Sequence, residues 1–396
     1  MKKRNISLII LCLIILAMLL SCSSPKDADW TILIYMAADN GLNTAALNDI
    51  EEMMTAEFSD DINVIVQIDE SQYSESPAAK RYRIHPDSKN LISNLGEIDS
   101  GDYNSLTDFA NWGFNKYPSD KKALFIWSHG NGWYPLNRDL PPSFCPDEES
   151  NSFISISDKD FQNALKNIDN RLDILLLDAC NMQTLEVINE IYKYTDFFIA
   201  AEDAINTAGF PYHLILSDWE NYANVQNLAH EIAFDFHYYY WLEDIYPISC
   251  SVVKTSAFPE LLMDIAEFSN RWAAEAANDI FQQSREACLE FNDSWPYSLA
   301  ADVDVKEFFS WILEYNPSDS LAEFCDRIIT DIDSCFIFQK TDDYPTGYTT
   351  DNVGTGIIWF PDAETFYYFE DRLNEYYQLD FSATGWQIFV GNSFTN

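Results

Sequence analysis

Basic residues are scarce in this sequence: 23 lysines and arginines stand against 64 aspartates and glutamates, a formal net charge of -41 over 396 residues. Proteins hold nucleic acids largely by placing positive charge against phosphates, so this balance excludes nucleic acid as a partner. A cationic peptide or a divalent cation is a more natural partner for such a chain. The hydrophobic content of 47% predicts a substantial core and excludes a disordered protein.

Cysteines with the close paired spacing of a structural zinc site are also missing, so we expect no metal of that kind. Of the eight cysteines, Cys12 lies in a predicted amino-terminal leader and Cys22 is the residue predicted to be lipidated. A catalytic thiol among the other six would leave an odd number, which argues against a complete disulfide framework but leaves one or two bridges open. The six are Cys145, Cys180, Cys250, Cys288, Cys325 and Cys335.

The amino terminus has the pattern of a secretory leader, in which basic residues 2–4 precede an apolar run over residues 6–20. The run is too short to span a membrane comfortably as a mature helix. Leu19-Leu-Ser-Cys22 resembles a bacterial lipobox, which implies cleavage before Cys22 and its lipidation. We therefore predict a signal peptide over residues 1–21, a lipidated tether over 22–29, and a location at the outer membrane, on its periplasmic or surface side. An uncleaved anchor helix is the alternative.

Two apolar runs each end at a reactive residue. Residues 123–127 lead to His129 and Gly130, and residues 172–177 lead to Asp178-Ala-Cys180. Apolar runs without alternation are typical of strands buried on both faces, as in a parallel sheet covered by helices. Functional residues collect at the carboxyl ends of such strands. A thiol there, with an imidazole on the neighbouring strand end, is the arrangement of a cysteine nucleophile and its base.

The order of the other elements predicts an α/β sandwich. A helix over residues 183–194 would bring its amino terminus, which favours a thiolate or an oxyanion, close to Cys180. Residues 131–158 are predicted to form a loop, and residues beyond 217 a mixed, helix-rich portion. The other predicted elements are strands over 30–39, 62–68 and 197–203, an edge strand or hairpin piece over 80–84, and helices over 42–58, 105–117 and 157–168, the last capped by Ser157 or Asp158.

Four segments resemble the clostripain-like cysteine peptidases, which are relatives of caspases, legumains and gingipains. These segments are residues 30–40, Ser128-His-Gly-Asn-Gly-Trp133, Leu177-Asp-Ala-Cys-Asn-Met182 with Glu186-Val187, and Gly209-Phe-Pro-Tyr212. The resemblance continues more weakly to residues 356–361 and 386. It implies a caspase-like αβα sandwich with a mainly parallel central sheet. The peptidase domain would cover residues 30–216, and residues 217–396 would complete or flank it.

The resemblance also implies roles for individual residues. Cys180 would attack the scissile carbonyl, and His129 would protonate the leaving amine or help to form the thiolate. The backbone amides of Gly130 and Cys180 would hold the oxyanion, and a glycine at 130 keeps that approach free of a side chain.

Specificity for arginine or lysine would come from acidic residues in the primary pocket. Asp178 is the first candidate, because strand alternation puts it on the same side as Cys180. The alternative is a carboxylate that only caps nearby amides. Glu202 or Asp203, at the end of the next strand, would supply a second carboxylate.

Two features depart from the family pattern. Members often mature by self-cleavage between the histidine and the cysteine, but no basic residue there stands in a recognisable processing motif. The candidates are Arg138, Lys159, Lys166 and Arg171. The loop after Trp133 carries acidic residues that could bind calcium, without the regular spacing of a defined calcium loop, so a solvated acidic loop is the alternative. They are Asp139, Asp147, Glu148 and Glu149.

Two functions follow from these observations. The first is a lipid-anchored cysteine endopeptidase that cleaves proteins or peptides after arginine or lysine, acts as a monomer, contacts the membrane through Cys22, and requires no cofactor, with calcium left open. The second is a non-catalytic envelope lipoprotein that binds peptides or glycans on the same fold. The presence of both His129 and Cys180 favours the first, because a binding protein has no need of that pair.

Overall fold

The computed structural model describes residues 28–133, 144–246, 248–291, 302–343, 348–350, 355–369 and 373–394. The predicted signal peptide, Cys22 and most of the tether lie outside these residues. In the part of the chain that is described, no helix is long and apolar enough to cross a membrane. The six cysteines that follow Cys22 are free thiols. Neither of the disulfide bridges that the cysteine count left open is therefore formed.

The described residues form fifteen strands and thirteen α-helices. The strands are β1 (Ala28–Ala38), β2 (Ile62–Glu70), β3 (Ala79–His85), β4 (Ser88–Gly96), β5 (Ser119–Trp127), β6 (Phe144–Asp147), β7 (Ser152–Ile154), β8 (Leu172–Asp178), β9 (Thr195–Ala200), β10 (Ile248–Lys254), β11 (Glu290–Phe291), β12 (Asp302–Asp304), β13 (Phe336–Asp343), β14 (Tyr348–Thr350) and β15 (Ile357–Trp359). The helices are α1 (Asn43–Met53), α2 (Tyr103–Lys116), α3 (Asp160–Lys166), α4 (Leu185–Ile191), α5 (Tyr212–Asp218), α6 (Val225–Leu242), α7 (Phe258–Trp272), α8 (Asp279–Ala287), α9 (Val305–Glu314), α10 (Asp319–Cys335), α11 (Ala363–Phe369), α12 (Leu373–Tyr376) and α13 (Trp386–Ser393).

A ten-stranded sheet organises the fold, in the order β14-β13-β10-β9-β8-β5-β1-β2-β3-β4. Its five central strands, from β9 to β2, are parallel. Antiparallel strands extend the sheet at both edges. The α/β class and the mainly parallel centre of the sheet are therefore confirmed. The segment 80–84, predicted as an edge strand or hairpin piece, lies within β3, which pairs with the edge strand β4.

Helices cover both faces of the sheet, because alternate residues of each central strand point in opposite directions. On β1, Leu33 and Tyr35 pack in one core with α2, α3, α4 and α7, while Ile32 and Ile34 pack in the other with α1, α5 and α6. The apolar runs read from the sequence are thus strands buried on both faces, as expected for a parallel sheet.

Residues after 217 share in the same sheet and the same cores. Strands β10 and β13 extend it beyond β9, and helix α6 packs on one face. Ile357 at the start of β15 donates its N–H to the carbonyl of Gln183 at 3.0 Å. Trp133 packs against the ring of Tyr376, with centroids 4.8 Å apart. The carboxyl-terminal residues therefore contact both segments that carry the reactive residues.

Three local predictions were wrong. The loop over 131–158 contains the hairpin β6–β7, whose strands of four and three residues are too short to show a pattern. Helix α3 starts at Asp160, after Lys159 in the left-handed region, and neither predicted residue caps it. Helix α4 starts at Leu185 with Thr184 as its cap, so Cys180 lies five residues before it and outside its first turn.

Candidate active site

The reactive residues lie at equivalent positions of two neighbouring strands. Trp127 at the end of β5 is paired in register with Asp178 at the end of β8. The pairing continues for one more step, since the N–H of Ser128 donates to the carbonyl of Asp178 at 3.2 Å. His129 and Cys180 each follow two residues after the Trp127–Asp178 pair. Neighbouring strands are separated by about 5 Å, so both side chains emerge at one edge of the sheet.

Gly130 fills the space between the two strand ends. A Cβ atom there would lie 2.7 Å from the carbonyl oxygen of Cys180 and 2.9 Å from the Cβ of Ala179. Two backbones can approach this closely only when one of them lacks a side chain. Glycine at 130 therefore holds the His129 segment in contact with the Cys180 segment.

Gly130→Ala is expected to separate these two segments, because real Cβ atoms do not approach backbone oxygens to 2.7 Å. We expect kcat/KM on a cleaved peptide to fall about 100-fold, since displacements of about 1 Å cost that much in positioned catalysis. Steady-state kinetics on the folded variant tests this. Gly391→Ala in α13 is the matched control, because a Cβ there makes only an ordinary contact, 3.5 Å from the ring of Phe366. Equal activity of the two variants would contradict the close contact.

Burial keeps the thiol and the imidazole neutral. Desolvation raises the pKa of Cys180, the N–H of Ile205 donates to Sγ at 3.3 Å and opposes the rise, and Asp178 and Asp203 add to it. Desolvation also lowers the pKa of His129. Both shifts disfavour the charged forms. The resting pair at neutral pH is thus a thiol beside a neutral imidazole, and the Ile205 N–H contacts the sulfur where a helix terminus was predicted to do so.

Asp178 is buried among hydrogen-bond donors from a later loop. Its Oδ2 accepts bonds from the N–H of Phe210 at 3.1 Å and from the hydroxyl of Tyr212 at 3.0 Å. Burial raises the pKa of Asp178 to about 7, against the lowering effect of these two donors. The carboxylate thus caps an amide of the segment that resembles the family, in addition to any contact with substrate.

Asp49 forms a second carboxylate beside Asp178. A Cβ at Gly209 would lie 2.9 Å from Asp178 Oδ2 and 3.2 Å from Asp49 Oδ2, so the two acids flank that glycine. Asp49 Oδ2 accepts a bond from the indole N–H of Trp127 at 2.7 Å. Burial raises the pKa of Asp49 to about 9, and the charge of Asp178 adds to the rise. Sequence analysis did not single out Asp49, because it is one of several acids on α1.

A cavity of about 520 Å³ opens beside these acids. Its wall includes residues 206–208, which directly follow the Ile205 whose N–H contacts Cys180. Asp49 and Glu52 of α1 and Tyr239 of α6 are among the residues that line it, and the Glu52 carboxylate is also paired with His213. The lining residues are Gly41, Leu42, Thr44, Ala45, Asn48, Asp49, Glu52, Asn206, Thr207, Ala208 and Tyr239. The arrangement is suited to a long cationic side chain next to a thiol.

The two acids at the end of β9 have different surroundings. Glu202 is fully buried and accepts a bond from the hydroxyl of Ser249 on β10 at 2.5 Å. Burial raises the pKa of Glu202 to about 8. Glu202, like Asp178, is absent from the residues that line the cavity, whereas Asp49 is among them. Asp203 is half-buried, its carbonyl accepts the N–H of Asn181 at 3.2 Å, and its charge acts on Cys180. Of the two, only Asp203 lies close to the thiol.

Cys22, the predicted lipidation site, lies outside the described residues. Two groups of carboxylates in the described ranges could hold a metal ion, and neither includes His129 or Cys180.

Comparison with known proteins agrees with this geometry. A model of the clostripain family of C11 peptidases matches residues 34–386. Clostripain of Hathewaya histolytica is 27% identical over 223 residues, which cover 48% of this chain and 42% of that protein. The match thus spans less than half the length of that relative.

Solved structures of C11 proteases share the fold. An inactive zymogen of a C11 protease from Parabacteroides distasonis superposes with a TM-score of 0.71 at 21% identity, over 92% of this chain and 99% of that one. A secreted C11 cysteine protease from Bacteroides thetaiotaomicron, in complex with an irreversible peptide inhibitor, superposes with a TM-score of 0.66 at 20% identity, over 91% and 99%.

Proposed function

Because this chain belongs to the clostripain family, we propose that it is a cysteine endopeptidase that cleaves proteins and peptides after arginine or lysine. The observation that carries the proposal is the matched position of His129 and Cys180 at the ends of two hydrogen-bonded parallel strands. A carboxylate-lined cavity next to the segment that contacts the thiol supports the preference for basic side chains.

In the proposed reaction, Cys180 Sγ attacks the scissile carbonyl carbon while its proton passes to His129. The new S–C bond gives a tetrahedral oxyanion, which the amides of Gly130 and Cys180 stabilise. As the C–N bond breaks, the imidazolium returns the proton to the leaving amine. Water then attacks the thioester, with His129 as base, and releases the acid product and the free thiol. Because the thiol of Cys180 and the imidazole of His129 are both neutral at rest, the thiol proton passes to the imidazole during the attack.

The proposed specificity rests on Asp178 and Asp49. A guanidinium or ammonium group entering the cavity would stabilise their ionised forms and so lower both pKa values. Glu52 adds a carboxyl group nearer the cavity mouth, where its side chain is about a quarter exposed. A neutral or acidic side chain would give Asp178 and Asp49 no counter-charge, which disfavours their ionised forms.

A panel of fluorogenic peptides that differ only at the residue before the cut tests the function, with protein from residue 23 onward and Cys180→Ala as the control. Cleavage after arginine or lysine that is lost in Cys180→Ala is the expected result. Turnover on other residues would keep the mechanism but remove the specificity given to Asp178. Silence of a folded protein, before and after trypsin cuts the segment between His129 and Cys180, would favour the binding lipoprotein.

Protonation of Asp178 should weaken the preference for arginine. Because its folded pKa is raised to about 7, the carboxylate is neutralised as the pH falls through that value and loses its attraction for a cation. We expect the ratio of kcat/KM for arginine and citrulline substrates to fall below pH of about 7. Titration of His129 and Cys180 affects both substrates equally, so its effect cancels in this ratio. Asp178→Asn should remove the fall centred at about pH 7 and leave only the titration of Asp49 at higher pH, and an unchanged profile in that variant would remove Asp178 from the pocket.

We also propose that self-cleavage activates the enzyme after Arg138. The other basic residues of the interval are poorly placed for cleavage, because Lys159 and Arg171 form ion pairs and Lys166 lies in the last turn of α3. Amino-terminal sequencing of the fragments made by the wild type and absent from Cys180→Ala identifies the cut, and a first residue other than Asp139 would overturn the assignment.

Anchoring through lipidated Cys22 is proposed from the lipobox-like sequence. Expressed in a bacterium, the full chain should fractionate with membranes and the Cys22→Ala variant should not. Retention of Cys22→Ala in the membrane fraction would favour the uncleaved anchor helix.

A further inference from the structure

One loop between β9 and α5 contacts the thiol and also forms part of the cavity wall. We call residues 203–210 the thiol loop. The N–H of Ile205 donates to Cys180 Sγ at 3.3 Å, and residues 206–208 are among those that line the cavity. The position of the thiol loop therefore sets how the cavity is aligned with the sulfur atom.

The middle of the thiol loop has little packing of its own. Ala204, Asn206 and Thr207 are exposed. A segment with few buried contacts opens more easily than the core beside it. Hydrogen bonds from buried groups therefore decide where this part of the loop lies.

Tyr240 of α6 provides such a bond from outside the loop. Its side chain is 1% exposed, and its hydroxyl lies 3.0 Å from the carbonyl oxygen of Gly209 and 3.3 Å from that of Asn206. A hydroxyl has a single proton to donate, so the two carbonyl groups share it. The carbonyl of Asn206 also accepts the N–H of Gly209 at 2.9 Å, which closes a turn. The Tyr240 hydroxyl thus binds both ends of the turn that forms the cavity wall.

The ring of Tyr240 is held independently of its hydroxyl. It stacks on the ring of Phe236 with centroids 4.5 Å apart, and Phe236 packs on Phe210 at the same centroid distance. A phenylalanine ring would make the same contacts. Tyr240→Phe therefore removes the hydrogen bonds to the thiol loop and leaves the aromatic packing in place.

We propose that Tyr240 is a positioning residue, whose hydroxyl holds the thiol loop so that the cavity stays aligned with Cys180 Sγ when a cationic side chain enters. This inference rests on the proposed function, because it takes the cavity as the site for that side chain. Tyr240 is absent from the residues that line the cavity, whereas its neighbour Tyr239 is among them. Tyr240 thus acts through the loop and makes no contact with the substrate.

Affinity labelling tests this role without peptide turnover. Alkylation of Cys180 by a peptidyl-arginine chloromethyl ketone depends on the cavity, whereas alkylation by iodoacetamide depends only on the reactivity of the thiol. The ratio of the two second-order rate constants therefore reports the alignment of the cavity with the sulfur. Mass spectrometry of the Cys180 peptide measures both rates on protein from residue 23 onward.

Tyr240→Phe is expected to lower this ratio about 10-fold or more, since a displacement of about 1 Å costs about 100-fold in positioned chemistry. A change in the reactivity of the thiol itself cancels, because both reagents attack the same sulfur. An unchanged ratio in Tyr240→Phe would overturn the inference.

Tyr35→Phe is the matched control for the loss of a buried hydroxyl. Tyr35 is also 1% exposed, and its hydroxyl donates to the carbonyl of Ser100 at 2.9 Å in the core on the other face of the sheet. Each variant loses one buried hydroxyl, so both should show a similar small fall in Tm. Tyr35→Phe should keep the wild-type ratio. An equal fall of the ratio in both variants would mean that stability, and not the thiol loop, controls labelling, and would overturn the assignment.

The wild-type protein separates this inference from the proposed function. Faster labelling by the arginine reagent than by its norleucine counterpart, without cleavage of any peptide, would overturn the peptidase activity while the comparison with Tyr240→Phe still supports or refutes the role of Tyr240. Equal labelling by the arginine and norleucine reagents would overturn both the cationic pocket and the inference that depends on it.

Discussion

Replacement of His129 by alanine is expected to lower kcat/KM about 10³- to 10⁴-fold, because the side chain would serve as both proton acceptor and donor in the proposed reaction. Cys180→Ala should lower it still further, and the double variant should be no worse than Cys180→Ala, since the two residues act as one unit. Steady-state kinetics with an arginine substrate measures all three. His85→Ala, at the end of β3, is the control and should keep full activity.

The pKa directions make a sharper prediction about the same pair. Alkylation by a neutral thiol reagent follows the thiolate, so the rate at Cys180 should keep rising with pH beyond the ordinary thiol value of about 8.5. Because His129 is neutral at rest, His129→Ala should leave this profile unchanged while it abolishes turnover. Cys180→Ala corrects for the five other cysteines, which are buried.

A plateau of alkylation at neutral pH in the wild type, lost in His129→Ala, would contradict this account. It would mean that the resting pair is a thiolate and an imidazolium. The proton would then have moved from Cys180 to His129 before substrate binds. The position of His129 and Cys180 depends on strand register, and their charge state depends on burial. The alkylation experiment tests the charge state alone.

The sequence was sufficient to predict the centre of the fold because the signal there is local. Strands β5 and β8 are continuous apolar runs that stop at His129 and Cys180, and parallel strands bring such ends together. The family resemblance, which the family model confirms, rests on these same segments.

What the sequence did not predict depends on contacts between distant residues. Asp49 reaches Asp178 only because α1 packs across the strand ends, and nothing distinguishes it from Glu51 or Glu52 in the chain. Strand β4 is an exposed, largely polar edge without a clear alternating pattern. Asp69, Glu97 and Asp147 come together from three parts of the chain, so no spacing reveals their carboxyl groups as neighbours.

Glu186→Ala is expected to destabilise the protein by about 3 kcal/mol or more, because two buried donors lose their acceptor. Glu186 Oε1 accepts the N–H of Trp359 at 3.1 Å and the hydroxyl of Tyr376 at 3.0 Å. Glu186→Gln keeps an oxygen for both bonds and should stay within about 1 kcal/mol of the wild type near pH 5, where the folded glutamate is protonated. Urea unfolding measures the differences, and Glu314→Ala on the exposed side of α9 is the control.

The pH dependence of this pair of variants reports the charge of Glu186. Burial raises its folded pKa to about 8, with Asp302 adding to the rise, while the unfolded value is about 4.3. Between these values the folded chain keeps a proton that the unfolded chain has lost, so the stability from this group falls as the pH rises. Relative to Glu186→Gln, the wild type should therefore lose about 1 kcal/mol per pH unit between about pH 5 and 8. A constant difference across that range would show that the folded glutamate is ionised.

Glu186 also connects stability to the proposed active site. Glu186 lies on α4, six residues after Cys180, and it accepts a hydrogen bond from Tyr376. The ring of Tyr376 packs on Trp133, in the segment that follows His129. Loss of Glu186 should loosen both segments, so we expect kcat/KM of the folded Glu186→Ala protein to fall about 10-fold or more. Phe268→Ala, in the carboxyl-terminal aromatic core, should destabilise by a similar amount without this effect. Equal activity losses in the two variants would mean that Glu186 acts through global stability alone.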